Sequence, residues 1–335
     1  MDFAFTDDQL LFRDALRSLL ADRCTPAHVR AAWADPEGPS FDRELWKALA
    51  DMGILGILAP ADSGGLALSM VDLVLLLEET GRAALPGPIV EHAAVAVPAL
   101  GEAGHKALAD AVNGLVVVSA AVGSVAGWAT EADLLMLADG EGGDASVTMY
   151  ANGDLEAGRR QSVDHSRRSA TVPRDAGASP TSVRLHGVDV AAMFDRGALG
   201  VAAQMLGLAD GMLSMTVDYV KERRQFGVPV GSFQAVKHHL ANALVKLEHA
   251  RPAVYRAAWS IAHDHPQRAR DVSFAKVWAG TAAGMAARAS LQCHGAIGYT
   301  FEHDLHLWMK RVWALRAAWG DEAWHRARVA EAVIG

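Results

Sequence analysis

Apolar residues recur at helical spacing at both ends of this chain and in short Val- and Leu-rich runs between them, so few architectures remain open. Near the start, Thr6 stands where it can cap a helix, with Asp7 and Asp8 at the positive end and Leu10, Phe12, Leu16 and Leu19 following. Phe41 to Met52 puts Leu45, Leu49 and Met52 on one side. Gly53 to Pro60 is a short apolar run, Ser63-Gly64-Gly65 a turn, and Ser69 to Arg82 a further helix whose Glu78 and Glu79 precede a stop at Gly81. Gly114 to Val122, Asp133 to Ala138, Ser146 to Tyr150, Ser169 to Val172 and Thr181 to Leu185 then read as strands, joined by polar, flexible loops such as Gly140 to Asp144. Helical spacing returns over Ala192 to Arg224, Phe233 to His263, Gln267 to Cys293 and Leu305 to Val333. The pattern predicts a mainly α chain with a β insert: an N-terminal helical domain (1–112), a short middle β-domain (113–187) and a C-terminal helical bundle (188–335).

The composition supports this and narrows the partners. With 335 residues and 51% apolar content the chain can bury a substantial core. A formal net charge of −8 disfavours broad attraction to nucleic acid or acidic membrane, while allowing a local basic site for a phosphorylated ligand. Cys24 and Cys293 are too few for a disulfide framework and form no metal-binding pair, so they read as small buried apolar residues. The start, MDFAFTDDQ, lacks a signal-peptide pattern, and no apolar run approaches the roughly 20 residues that cross a bilayer. We expect a cytoplasmic protein with no membrane span.

Two motifs carry the chemistry. The stretch Glu222-Arg223-Arg224-Gln225-Phe226-Gly227 ends a long helix, and Gln234 follows shortly after. An arginine there offers a planar donor fork suited to pyrophosphate, Phe226 an apolar face, and Gly227 freedom to turn. The second motif, Gln292-Cys293-His294-Gly295-Ala296-Ile297-Gly298-Tyr299, is a glycine-bearing turn beside a helix, where backbone N–H groups can approach a phosphate. In this order the pair resembles the acyl-CoA dehydrogenase family. Gly53-Ile54-Leu55-Gly56, Pro60, Gly64-Gly65 and Glu78 to Arg82 look like that family's early helices.

The resemblance implies a helical domain, a β-domain and a four-helix C-terminal domain, assembled as a tetramer with FAD across a subunit interface. It places the ADP half of FAD on Arg223, Gln225, Phe226, Gln234, Gln292, Gly295 and Ala296. Ala296 stands where the family has a glycine, and His294 brings a larger side chain to the turn. The family's reaction, α,β-desaturation of an acyl-CoA thioester, needs a carboxylate base at the α-carbon. Its two usual positions fall here on Trp319 and Gly197, neither of which can take a proton, so no catalytic residue is assigned. Asp195, Asp321 and Glu322 are the nearby acids, with Glu322 the better substitute and helix-start stabilisation the competing role for it and Asp321. The family's T-E-P-x-x-G-S-D segment has only an echo at Ala129 to Asp133, and its W-I-T triplet is absent.

These departures are similar to the base-deficient subunit of actinobacterial α2β2 acyl-CoA dehydrogenases, the steroid side-chain type. The expected partners are then an acyl-CoA, a homologous subunit (a homo-oligomer being the alternative), and electron-transfer flavoprotein or a similar acceptor. A self-sufficient enzyme with a relocated base and a non-enzymatic scaffold are the competing readings. His303, Asp304 and His306 fall within one turn, but they and His238-His239 read as helix-face or interface residues, with no metal assigned. Trp308, Trp313, Trp319 and Trp324 are expected in core or subunit packing.

Overall fold

The computed structural model describes residues 4–34, 38, 40–139, 145–155, 157–173, 179 and 181–335. The loop expected at Gly140 to Asp144 lies outside the described residues.

Local chemistry fixes the first helices. Helix α1 (Asp7–Arg23) opens on a reciprocal cap: the Gln9 amide donates to Thr6 Oγ1 (3.3 Å) and the Thr6 amide to Gln9 Oε1 (2.9 Å). Helix α2 (Pro26–Ala34), which the sequence pattern did not reveal, starts on a proline, where a missing N–H costs nothing. Helix α3 (Arg43–Asp51) is capped by Asp42, which accepts the amides of Glu44 (2.7 Å) and Leu45 (3.2 Å). The apolar run after it folds as buried turns, with Ile54, Leu55 and Ile57 fully enclosed.

Helix α4 (Met70–Arg82) is buried along most of its length, and Gly81 lies inside it rather than stopping it. The glycine is required by packing: a Cβ there would sit 2.1 Å from the Gln204 carbonyl oxygen. A π-helical stretch, Val90–Ala96, leads into α5 (Val97–Glu102), and α6 (Leu108–Val112) follows.

The chain divides into two compact units. One comprises Ala31–Leu73 and Pro86–Gly200 and contains the β-structure. Strands β1 (Val118–Val122), β2 (Val125–Ala126), β3 (Leu134–Asp139), β4 (Ser146–Ala151), β5 (Gly158–Arg159), β6 (Ala170–Thr171) and β7 (Val183–Leu185) form two small sheets. The first runs β1-β3-β4-β7, with β1 parallel to β3 and the other pairs antiparallel; the second runs β2-β6-β5. Ala121, Leu135, Leu137, Tyr150, Ala170 and Val172 belong to the apolar cluster inside this unit.

The other unit comprises Met1–Arg30, Val74–Leu85 and Val201–Gly335. Helix α7 (Val190–Glu222) enters it at Val201 and leads to the hairpin of β8 (Arg224–Gln225) and β9 (Val228–Pro229). Helices α8 (Gln234–Ala262), α9 (Arg268–His294), α10 (Leu305–Ala317) and α11 (Glu322–Ile334) complete it. The single helical stretch expected over Leu305 to Val333 is thus two helices, broken at Trp319 and Gly320, both with positive φ (55° and 86°). Contrary to the sequence expectation, α7 is long and apolar enough to cross a membrane by length and composition. Some 78% of that apolar window is buried within the protein, so protein already covers it.

Candidate functional site

The two motifs meet in one cavity. Helix α7 ends at Glu222, and β8 pairs with β9 so that Phe226 and Gly227 form a two-residue turn with φ of 51° and 81°. Glycine adopts this left-handed geometry freely, whereas Phe226 does so at a cost of about 1 kcal/mol. The Val230 amide donates to the Arg223 carbonyl (2.8 Å), which fixes the hairpin at the helix end. Helix α9 ends nearby on Gly295 (φ 66°), whose N–H donates back to the Leu291 carbonyl. A short 3-10 turn, Gly295–Tyr299, follows.

The cavity has a volume of about 650 Å³. Arg223, Gln225, Phe226, Gln292, Gly295 and Ala296 line it. Gln234 opens α8 and is exposed, but it is not on the cavity wall although Phe233, Ala235 and Val236 are. Among the described residues, the Arg223 guanidinium has no hydrogen-bond or ion-pair partner, so its donor fork is available. The Gly295 N–H is used by α9, and the 3-10 turn that follows brings the Gly295–Ile297 backbone to the cavity wall. The Arg223 cation and the 90%-exposed Phe226 ring together suit a ligand that is anionic in one part and apolar in another.

Both departures at the turn find a structural answer. Ala296 is not among the residues with positive φ, so a methyl group is compatible with the backbone there. The His294 ring is buried and stacks on Tyr219 (4.4 Å between centroids, 19°). Its Nδ1 contacts the Ser290 carbonyl at 2.8 Å, and burial pushes its pKa down. Because a carbonyl only accepts, Nδ1 carries a proton in this contact. Burial raises the pKa of the neighbouring Cys293 thiol, which is half-buried on the cavity wall. Sequence reasoning missed Tyr219 and His239 on the cavity wall.

Neither position to which the resemblance assigns a base, Trp319 or Gly197, carries a carboxylate. Trp319 sits in the turn between α10 and α11. Its carbonyl is contacted by His325 Nε2 (2.8 Å), and the Gly320 carbonyl accepts from the buried Lys276 ammonium (2.8 Å). Gly197 is a buried residue of α7, in the other unit. Glu322 is gripped by Arg326 (2.8 and 2.9 Å) and by Arg316 (3.0 Å). The Arg326 hydrogen bonds lead in holding its carboxyl below the usual range, which makes it a weak base. Asp321 caps α11 by accepting the Trp324 amide (2.8 Å).

Other sequence features prove structural. Asp133, in the Ala129 to Asp133 echo, accepts the Val117 amide (2.7 Å) and pairs with Arg43. Asp304 pairs with Arg30 (2.7 Å), and His303 Nδ1 accepts the Leu305 amide (3.2 Å). Trp308 is buried with its indole N–H on the Arg82 carbonyl, whereas Trp313 and Trp324 are exposed.

Comparisons with known proteins agree on the family. Residues 6–112 match "Acyl-CoA dehydrogenase, N-terminal domain", and residues 186–334 match "Acyl-CoA dehydrogenase, C-terminal domain". The chain is 31% identical over 315 residues to acyl-CoA dehydrogenase IpdE2 of Mycobacterium tuberculosis, covering 91% of each chain. Two solved structures at 24% identity share the fold. A variant of the Tcur3481-Tcur3483 steroid ACAD has a TM-score of 0.86, with 98% of each chain covered. The ChsE4-ChsE5 complex from Mycobacterium tuberculosis has a TM-score of 0.85, with 100% of this chain and 99% of that one covered. The chain therefore belongs to the acyl-CoA dehydrogenase family, whose cofactor is FAD.

Proposed function

We propose that this chain is the base-deficient subunit of a heteromeric acyl-CoA dehydrogenase and completes the FAD site of a homologous catalytic partner. One observation carries the reading: the cavity of the two motifs is intact, while Trp319 and Gly197 occupy the positions of the base. The chain keeps what would hold a cofactor and lacks what would remove a proton.

In this reading Arg223 would hold the pyrophosphate through its donor fork, with the Gly295–Ala296 turn beside it. Gln225 and Gln292 donate to the nucleotide, Phe226 covers its apolar part, and Gln234 contacts it only after a rearrangement of the start of α8. When bound, FAD supplies the acceptor for the hydride removed from the acyl β-carbon. This chain's residues anchor and orient; the α-proton is taken by a carboxylate of the partner. Phe226, Tyr299 and Phe301, exposed by 90%, 76% and 72%, offer apolar area for the partner to cover.

The likeness to steroid-type structures supports a bulky, steroid-like acyl-CoA as substrate, an α2β2 assembly and an electron-transfer flavoprotein as acceptor. We keep the division into residues 1–112, 113–187 and 188–335 as part of the same proposal.

The direct test is Arg223→Ala in the complex co-purified with its partner. Loss of one charge-assisted bidentate contact should lower flavin affinity about tenfold to a hundredfold. Flavin content equal to the unaltered complex would instead favour a scaffold role.

A further inference from the structure

A second, separate cavity lies in the β-containing unit, with a volume of about 330 Å³. Arg160, His165, Arg168 and Ser169 are on its wall. It is half the size of the first and at the lower end for small-ligand sites, so it suits a mononucleotide rather than a dinucleotide.

The wall is built from a basic stretch held at both ends. Over residues 156–169 four arginines stand against two acids. Arg167 is committed to Glu91 (2.9 Å) in a buried pair. Asp164, also on the wall, is buried, and its carboxylate is engaged by the amide (3.2 Å) and hydroxyl (2.7 Å) of Ser166. Arg168 follows at φ 45° and ψ 51°, a left-handed conformation that costs an arginine energy. Its Nη2 lies 3.4 Å from the Gly38 carbonyl.

Arg160 is the informative residue. Its amide is fixed on the Ser169 carbonyl (2.8 Å), yet among the described residues its exposed guanidinium has no partner. Ser169 adds a half-buried hydroxyl beside it. Also on the wall, the exposed His165 ring is stacked by one face on the buried Trp33 (4.8 Å, 27°). A guanidinium and a hydroxyl recognise a phosphate; a ring braced from behind is a platform for a planar base.

We propose that this cavity binds the phosphorylated nucleoside of an adenine nucleotide, with the phosphate on Arg160 and Ser169 and the base on His165. Coenzyme A carries such a group on its ribose, a source that rests on the acyl-CoA reading above; free phosphate shares only half of the chemistry.

Calorimetric titration of the full chain, with any co-purifying subunit, distinguishes these sources. Coenzyme A should bind about tenfold or more tightly than dephospho-coenzyme A, as expected for a charge-assisted phosphate contact. Arg160→Gln, a change of an exposed side chain, should abolish that preference. His165→Ala should weaken both ligands about threefold to tenfold while leaving inorganic phosphate unaffected. Equal binding of the two coenzymes, or a preference that survives Arg160→Gln, overturns the site. Coenzyme A binding that His165→Ala leaves unchanged overturns the nucleotide assignment. Arg223→Ala should not alter the preference, so failure here and failure of the FAD reading give different results.

Discussion

Trp319 stands where the resemblance to the family places a carboxylate base. Its turn is held from inside the protein, by Lys276 on the Gly320 carbonyl and His325 on the Trp319 carbonyl, so the tryptophan is a built feature of the fold. Glu322 lies close in sequence, but Arg316 and Arg326 fix and acidify it. Glu322→Gln should leave turnover of the co-purified complex within about twofold of the parent; a loss of a hundredfold or more would make it the base after all. The same turn has a pH signature. Burial holds His325 near a pKa of about 4, and it holds the fully buried His92, bonded to the Ala111 carbonyl and Val118 amide, at about 4 as well. Each would titrate near 6.5 when unfolded, so between 6.5 and 4 the unfolded chain binds more protons. Stability is therefore complete above that window and falls as pH drops through it, by up to about 3 kcal/mol for each ring. Denaturation midpoints measured across the window should decline steadily towards acid; a flat profile would mean that these rings are not held neutral.

At the scale of elements, the crossing of α4 and α7 sets the tightest packing. A Cβ on Gly207 would lie 1.8 Å from the Glu78 carbonyl oxygen, and one on Gly81 2.1 Å from that of Gln204. Gly207→Ala should force the helices apart and cost on the order of 3 kcal/mol or more, read as a lower denaturation midpoint. An unchanged midpoint would contradict the crossing. Glu78, which also accepts from Tyr255 (2.9 Å) and pairs with Arg251, would move with it. This crossing was not legible in the sequence, where Gly81 looked like a stop, because the reason for the glycine lies on another helix. The long helices were legible, since α7, α8 and α9 each repeat an apolar face over many turns. Val90–Ala96 was not, because every residue in it is buried and no polar face reveals a period. The break at Trp319-Gly320 was hidden for a related reason: the groups that hold it, Lys276 and His325, are fixed by tertiary structure. In the cavity, Arg223, Gln225 and Phe226 could be named from their motif. His239 could not, being one of many exposed polar residues on α8 until the hairpin packs beside it.

For the whole molecule, the proposal is a division of labour between chains. This subunit contributes the Arg223 cavity and exposed aromatic residues around it; the partner contributes the proton-abstracting carboxylate. The cavity near Arg160 would give this chain a further hold on the nucleotide end of the substrate. The measurement that tests the account most directly is flavin content and acyl-CoA desaturation, for the chain purified alone and co-expressed with a homologous subunit encoded beside it. The account predicts little flavin and no desaturation for the chain alone, and both restored together on co-expression. A flavin-loaded, active assembly of this chain alone would contradict it.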